Sequence, residues 1–270
     1  MTDEKTTALT NIFVERKTLV SSFLERTVVI DAYLPVSVPE PGNMSLLLIN
    51  DGQDLPKMPF DEMLDMLNVN MKNEPLLCIG IHCSHDRKME YGIAQKKDYK
   101  GRGAKAGLYM RFVMEELLPF ISYTYWIESF TKKSFAGFSL GGLSALDIVW
   151  NHPSEFSNVG VFSGSLWWRS KSYTDGYDDN RDRIMHRYIR KGKYYPHLKF
   201  FFECGGEDET EDRNNNGIID SIDDTLDLIE ELKALGYPDE NIKYLELPDG
   251  KHDVATWARV FPEFLRWISS

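Results

Sequence analysis

The sequence predicts an α/β fold: a mostly parallel central sheet with helices packed on both faces. Two observations carry this. Short apolar runs alternate along the chain with segments of helical periodicity, which is the pattern of βαβ units. Several of the short runs are also continuously apolar, as in Leu46-Leu47-Leu48-Ile49 and Phe200-Phe201-Phe202. A strand covered on both faces has no polar side to alternate with.

Taken in order, the candidate strands are 28–34, 45–50, 76–82, 133–138, 159–162, 199–204 and 243–247. The candidate helices are 60–70, 108–120, 140–150, 225–235 and 255–268. In the fourth helix Leu226, Ile229, Leu232 and Leu235 recur at helical spacing, with Asp227, Glu230, Glu231 and Lys233 on the other side. Gly236 and Pro238 then stop it. The least regular stretch, 165–197, lies between two strands and reads as an insertion over the sheet edge, with a short charged helix around 181–191. There is no internal repeat, low-complexity tract or Pro/Ser-rich linker, so residues 1–270 read as one domain.

The 270 residues carry 31 basic and 42 acidic side chains, a net charge of −11. Such a chain repels phosphate backbones and anionic lipid, so no nucleic-acid or membrane partner is expected. The longest apolar runs fall far short of the ~20 residues of a membrane-spanning helix. Three cysteines, Cys78, Cys83 and Cys204, make no CxxC pair and read as reduced thiols. Residues 1–10 lack the basic and apolar regions of a signal peptide. A soluble, cytoplasmic protein is the expectation; the oligomeric state is unreadable.

Chemistry enters at Gly137-Phe138-Ser139-Leu140-Gly141, a Gly-x-Ser-x-Gly pentapeptide between a candidate strand and a helical pattern. A sharp strand-to-helix turn lifts the serine Oγ clear of the sheet, beside the helix N-terminus, and side chains at the flanking glycines would collide. Ser139 is the candidate nucleophile. Of the six histidines, only His252 lies on a loop after the last candidate strand, where the base of such a site belongs. The acid belongs on the loop after the penultimate strand, Gly205-Gly206-Glu207-Asp208-Glu209; Asp208 is preferred and Glu207 is the alternative. The Leu140 N–H is the first oxyanion donor, and Gln53 N–H, in the loop after an early strand, is the second. Trp167 and Trp168 form either a wall of the substrate pocket or the core of the insertion.

With these pieces placed, the chain resembles the Esterase family of α/β hydrolases, which includes esterase D, enterochelin esterases, feruloyl and acetyl-xylan esterases, and mycolyltransferases. The resemblance rests on Asn50-Asp51-Gly52-Gln53, on Ala136 to Leu143, on Phe162-Ser163-Gly164-Ser165, and on Gly250-Lys251-His252 followed by Trp257. It spans about residues 28–268 and implies an α/β-hydrolase fold and a serine carboxylic-ester hydrolase with the triad Ser139, Asp208 and His252. Its substrate would be a small-molecule ester. Asn50-Asp51-Gly52 departs from the His-Gly that many α/β hydrolases carry at the second oxyanion donor. An acyltransferase of the same fold is the alternative within enzymes. A catalytically silent scaffold that binds a ligand or partner is the alternative outside them.

Finally, Asp212 to Asp223 fits the pattern D-x-[DN]-x-[DN]-G with an acid at position twelve. Asp212, Asn214, Asn216, Asp220 and Asp223 supply side-chain oxygens and Ile218 a carbonyl, a set of hard donors suited to a structural Ca²⁺. The ester chemistry itself calls for no cofactor.

Overall fold

The computed structural model describes residues 11–36, 44–70 and 75–269. Eight strands form one sheet: β1 (Ile12–Ser21), β2 (Arg26–Pro35), β3 (Ser45–Asn50), β4 (Leu76–Ile81), β5 (Lys133–Phe138), β6 (Asn158–Phe162), β7 (Lys199–Glu207) and β8 (Ile242–Lys251). Their spatial order is β1-β2-β4-β3-β5-β6-β7-β8. From β4 to β8 every neighbouring pair is parallel; β1–β2 and β2–β4 are antiparallel.

The continuous apolar runs divide by alternation between two cores. Leu46 and Leu48 point into one and Leu47 and Ile49 into the other; Phe200 and Phe202 oppose Phe201 in the same way. The smaller core is closed by α1 (Phe60–Asn70) and α9 (Val254–Ile268), through Phe60, Leu64, Trp257, Phe261 and Phe264. The remaining helices, in chain order, are α2 (Arg87–Glu90), α3 (Ala106–Arg111), α4 (Leu118–Tyr125), α5 (Leu140–Asn151), α6 (Asp179–Asp182), α7 (Ile184–Arg190) and α8 (Asp220–Leu235). The larger core is closed by α3, α4, α5, α7 and α8. Between α3 and α4 the chain keeps turning through a wider stretch, Phe112–Leu117, so the helix expected over 108–120 runs on to Tyr125.

Two differences from the sequence reading have physical causes. β1 was not expected, because Glu15-Arg16-Lys17 interrupts its apolar residues. As an edge strand it tolerates those charges, which are also the usual protection of an edge. β7 and β8 run beyond their expected ends because Gly205 and Gly250 pack backbone against backbone; a Cβ on Gly205 would lie 2.5 Å from the Gly250 carbonyl oxygen. That close approach brings the loop after β7 beside the loop after β8.

Among the described residues no helix is long and apolar enough to cross a membrane. The N-terminal segment read for targeting, residues 1–10, lies outside the described residues.

Candidate active site

Strand β5 ends at Phe138 and α5 begins at Leu140, leaving Ser139 alone at the turn. Its backbone has φ 54° and ψ −120°, a region that non-glycine residues occupy only when the surroundings impose it. The constraints are visible. The Ser139 N–H donates to Phe162 O at 2.8 Å, and its carbonyl accepts from Ser165 N–H at 3.1 Å. A Cβ on Gly137 would stand 2.4 Å from the backbone of Gly141, so the strand and helix approach only through glycine. Ser139 Oγ lies 3.4 Å from Ser165 Oγ.

Ser139 shares a cavity of about 290 Å³ with His252, Asp208, Ser163, Ser165, Trp167, Glu209 and Ser221. The Asp208 carboxylate is buried and His252 is partly exposed, with Nδ1 to Oδ1 3.9 Å apart. That is an ion-pair distance; about 1 Å of movement makes it a hydrogen bond, and catalytic contacts often tighten only when substrate binds. Asp208 Oδ2 accepts the Gly205 N–H at 3.1 Å, and Oδ1 accepts the Ser163 hydroxyl at 3.1 Å. Glu207, the alternative acid, is exposed beside Lys251. Burial pushes the His252 imidazole below its ordinary value; the Asp208 charge opposes this and the Arg87 charge adds to it. Burial pushes Asp208 up, against the Gly205 and Ser163 hydrogen bonds.

Leu140 opens α5, where first-turn N–H groups have no acceptor within the helix. Gln53 sits in a 3-10 turn, Gly52–Lys57, directly after β3. That turn is pinned on all sides. A Cβ on Gly52 would fall 2.2 Å from Gly80 of β4. The Gln53 amide oxygen accepts the Cys83 N–H at 3.1 Å. Asn50 donates to Gly141 O at 2.8 Å and accepts the Tyr109 hydroxyl. Asp51, at φ 61°, holds Arg87 in a two-point ion pair with both contacts 2.7 Å.

The two tryptophans separate. Trp167 lines the cavity, with the Arg102 guanidinium 4.6 Å above its ring. Trp168 does not; it is fully buried, packed on Gly92 and Gly103, with its indole N–H on Lys96 O at 3.1 Å. Two glycines leave a slot that only a large flat ring fills, so this residue belongs to the core.

In the Asp212–Asp223 loop, Asp212 accepts the N–H groups of Asn216 and Gly217, and the amides of Asn214 and Asn216 donate to Asp223. Ile218 gives its N–H to Asn216 Oδ1. The side chains of Asp212, Asn214, Asn216 and Asp223 are thus gathered. Asp220 is not with them. It faces the backbone and guanidinium of Arg213, a buried cation shared with Asp179 and Asp224. No group of three or more His, Cys, Asp or Glu side chains is arranged for a metal ion among the described residues; the loop offers a mixed carboxylate and amide set.

Several residues of the site escaped the sequence reading. Arg87 and Asp51 shape the Gln53 turn, Ser165 meets Ser139, and Ser163 binds Asp208. Glu203 had a readable signal: a carboxylate set between Phe202 and Cys204 in an otherwise apolar strand.

The family model described as "Putative esterase" matches residues 21–268. The chain belongs to the Esterase family. It is a hydrolase of carboxylic esters, and its sheet is that of an α/β hydrolase. No match is found among curated proteins. Solved structures share the esterase's fold at low identity. A ferulic acid esterase is 17% identical with a TM-score of 0.70, covering 97% of this chain and 99% of its own. The siderophore hydrolase EstA from Aspergillus nidulans is 18% identical with a TM-score of 0.72, covering 100% and 97%. The enterobactin esterase FES from Shigella flexneri is 19% identical with a TM-score of 0.68; the match covers 93% of this esterase and 58% of that enzyme.

Proposed function

We propose that the protein is a serine esterase working through an acyl-enzyme, with Ser139 as nucleophile, His252 as base and Asp208 as the acid that orients it. The observation that carries this is the strained Ser139 turn opening into the same cavity as His252 and Asp208. Neutral His252 takes the Ser139 proton as Oγ attacks the ester carbonyl. The N–H groups of Leu140 and Gln53 receive the negative charge that forms on the carbonyl oxygen. Asp208 holds the imidazole tautomer and stabilises the imidazolium. His252 then protonates the leaving alcohol, and a water repeats the sequence on the acyl-enzyme.

The substrate is a small-molecule ester, as the names of the structural relatives indicate for those proteins. A cavity of about 290 Å³, with four serines and Trp167 around it, suits a compact acyl group. The Asp212–Asp223 loop is proposed to hold a structural Ca²⁺ through Asp212, Asn214, Asn216, Asp223 and the Ile218 carbonyl. No chemical step passes through it. The unpaired thiols of Cys78, Cys83 and Cys204 favour a reducing, cytoplasmic setting.

Hydrolysis of p-nitrophenyl esters from acetate to octanoate tests the reading. The short esters should be cleaved fastest, and Ser139→Ala should lose at least about a thousandfold in kcat. Full activity in Ser139→Ala, or no labelling of Ser139 by a fluorophosphonate, would overturn the mechanism. Calorimetry of chelator-treated protein should record Ca²⁺ binding that Asp212→Ala abolishes; no heat at millimolar Ca²⁺ removes the metal from the account.

A further inference from the structure

Behind the acid lies a set of groups that the steps above do not use. Ser163 follows β6 with φ 44°, a left-handed value imposed on a serine by its surroundings. Its Oγ accepts the Trp257 indole N–H at 2.9 Å and lies 3.1 Å from Asp208 Oδ1 and 3.5 Å from Glu203 Oε2. A hydroxyl has one proton to give. With the indole donating into it, that proton goes to the closer carboxylate, and it restrains the same Asp208 oxygen that faces His252 Nδ1. The Trp257 ring meets the His252 ring edge to face, with centroids 5.5 Å apart. One tryptophan therefore touches both partners of Ser139, the base directly and the acid through Ser163.

Glu203 closes the inner end. Its carboxyl is 1% exposed, and Oε1 has no hydrogen-bond partner among the described residues. The groups facing it are Asp208 beyond the end of its own strand, Ser163 just after β6 and Arg259 from α9. Burial, with the Asp208 charge behind it, pushes the Glu203 carboxyl up to about 8. At neutral pH it carries a proton and adds no second negative charge beside Asp208.

Building on the triad assignment above, we propose that Glu203, Ser163 and Trp257 form a hydrogen-bonded relay that positions Asp208, and through it His252, for catalysis. All three are positioning residues. None reaches the reacting atoms.

The test is kcat, KM and the pH profile on p-nitrophenyl acetate, with a thermal melt of each variant. Ser163→Ala and Trp257→Phe should each lower kcat about 10- to 100-fold while KM stays within about twofold. The acid limb should move to lower pH, because an Asp208 that drifts from His252 supports the imidazolium less, leaving Asp253 against burial and the Arg87 charge. The double variant should be no slower than the slower single one, since Trp257 acts on the acid through Ser163. Glu203→Ala should lose about tenfold in kcat and Glu203→Gln, which still donates, should recover most of it. Ser163→Ala removes one hydroxyl and stands for the relay should Trp257→Phe fail to fold. Parent kcat and pH profile in Ser163→Ala, or losses that simply multiply in the double variant, would overturn the relay. If that occurs while Ser139→Ala is dead, only the relay falls; if Ser139→Ala is active, the triad falls and takes the relay with it.

Discussion

At the scale of single residues, the site is built from positions that the backbone would not choose. Ser139, Asp51 and Ser163 all have positive φ, and each sits where a glycine-lined contact or a hydrogen bond holds it. Strain held this way fixes the turns at Ser139, Asp51 and Ser163, the placement the proposed mechanism calls for. The His252 environment sets a pH dependence. Burial disfavours the imidazolium more than Asp208 restores it, so the imidazole stays neutral to lower pH than a free one. In the proposed mechanism His252 works in its neutral form, so the acid limb of kcat/KM should fall below the ordinary histidine value of 6.5. A limb above 6.5 would mean that Asp208 or another carboxylate dominates the imidazole. That Ser139 and His252 share a cavity could be anticipated in the sequence because their signals are local: a pentapeptide at a strand end, and a histidine after the last strand. Glu203 was visible only as an oddity, since its meaning depends on Ser163, forty residues earlier, lying across from it.

At the scale of elements, Asp208 and His252 come within 3.9 Å of each other because β7 and β8 extend past their apolar runs. Those extensions depend on Gly205 and Gly250, whose roles no strand propensity encodes. The same limit explains Trp168. In sequence, Trp167-Trp168 is a pair of exposable aromatics; in space, Gly92 and Gly103 open a slot for one of them alone. Trp168→Ala should therefore destabilise by about 3–5 kcal/mol, the cost of a large core cavity, with little change in KM. Chemical denaturation would measure it; a loss under about 1 kcal/mol would place the ring outside the load of the core.

At the scale of the whole molecule, buried titratable groups set the pH of greatest stability. His186 is buried and held down to about 3, by burial first and by Arg183 next. Its neutral form is favoured in the fold, so this contribution is present above 6.5 and is lost as pH falls towards 3. Burial raises Glu203 to about 8, and Asp147 and Glu209 to about 7. These carboxyls favour the fold in their protonated form, so their contribution is greatest below about 4 and is lost as pH rises from there through 7 to 8. The two sets oppose each other, but several carboxyls outnumber one imidazole between about pH 4 and 6.5, so the melting temperature should be highest near pH 4 and fall as pH rises towards 8. A Tm that climbs steadily from pH 5 to pH 8 would show that these groups do not govern the fold. His186→Leu should flatten the acid side of the curve.

The sequence by itself determined the alternation of strands and helices, the doubly covered sheet, the glycine-flanked turn at Ser139 and the order of Ser139, Asp208 and His252 along the chain. Each is a statement about near neighbours or about the order of elements, and hydrophobic period and glycine spacing encode both. Only the tertiary structure decided that β1 joins the sheet, that Asp208 rather than Glu207 turns to His252, that Trp168 is core, that Asp220 serves Arg213, and that Ser163, Trp257 and Glu203 gather around Asp208. Those choices depend on which side chains meet across the ends of different strands. Burial and hydrogen bonding settle them in three dimensions, where the distance along the chain no longer counts.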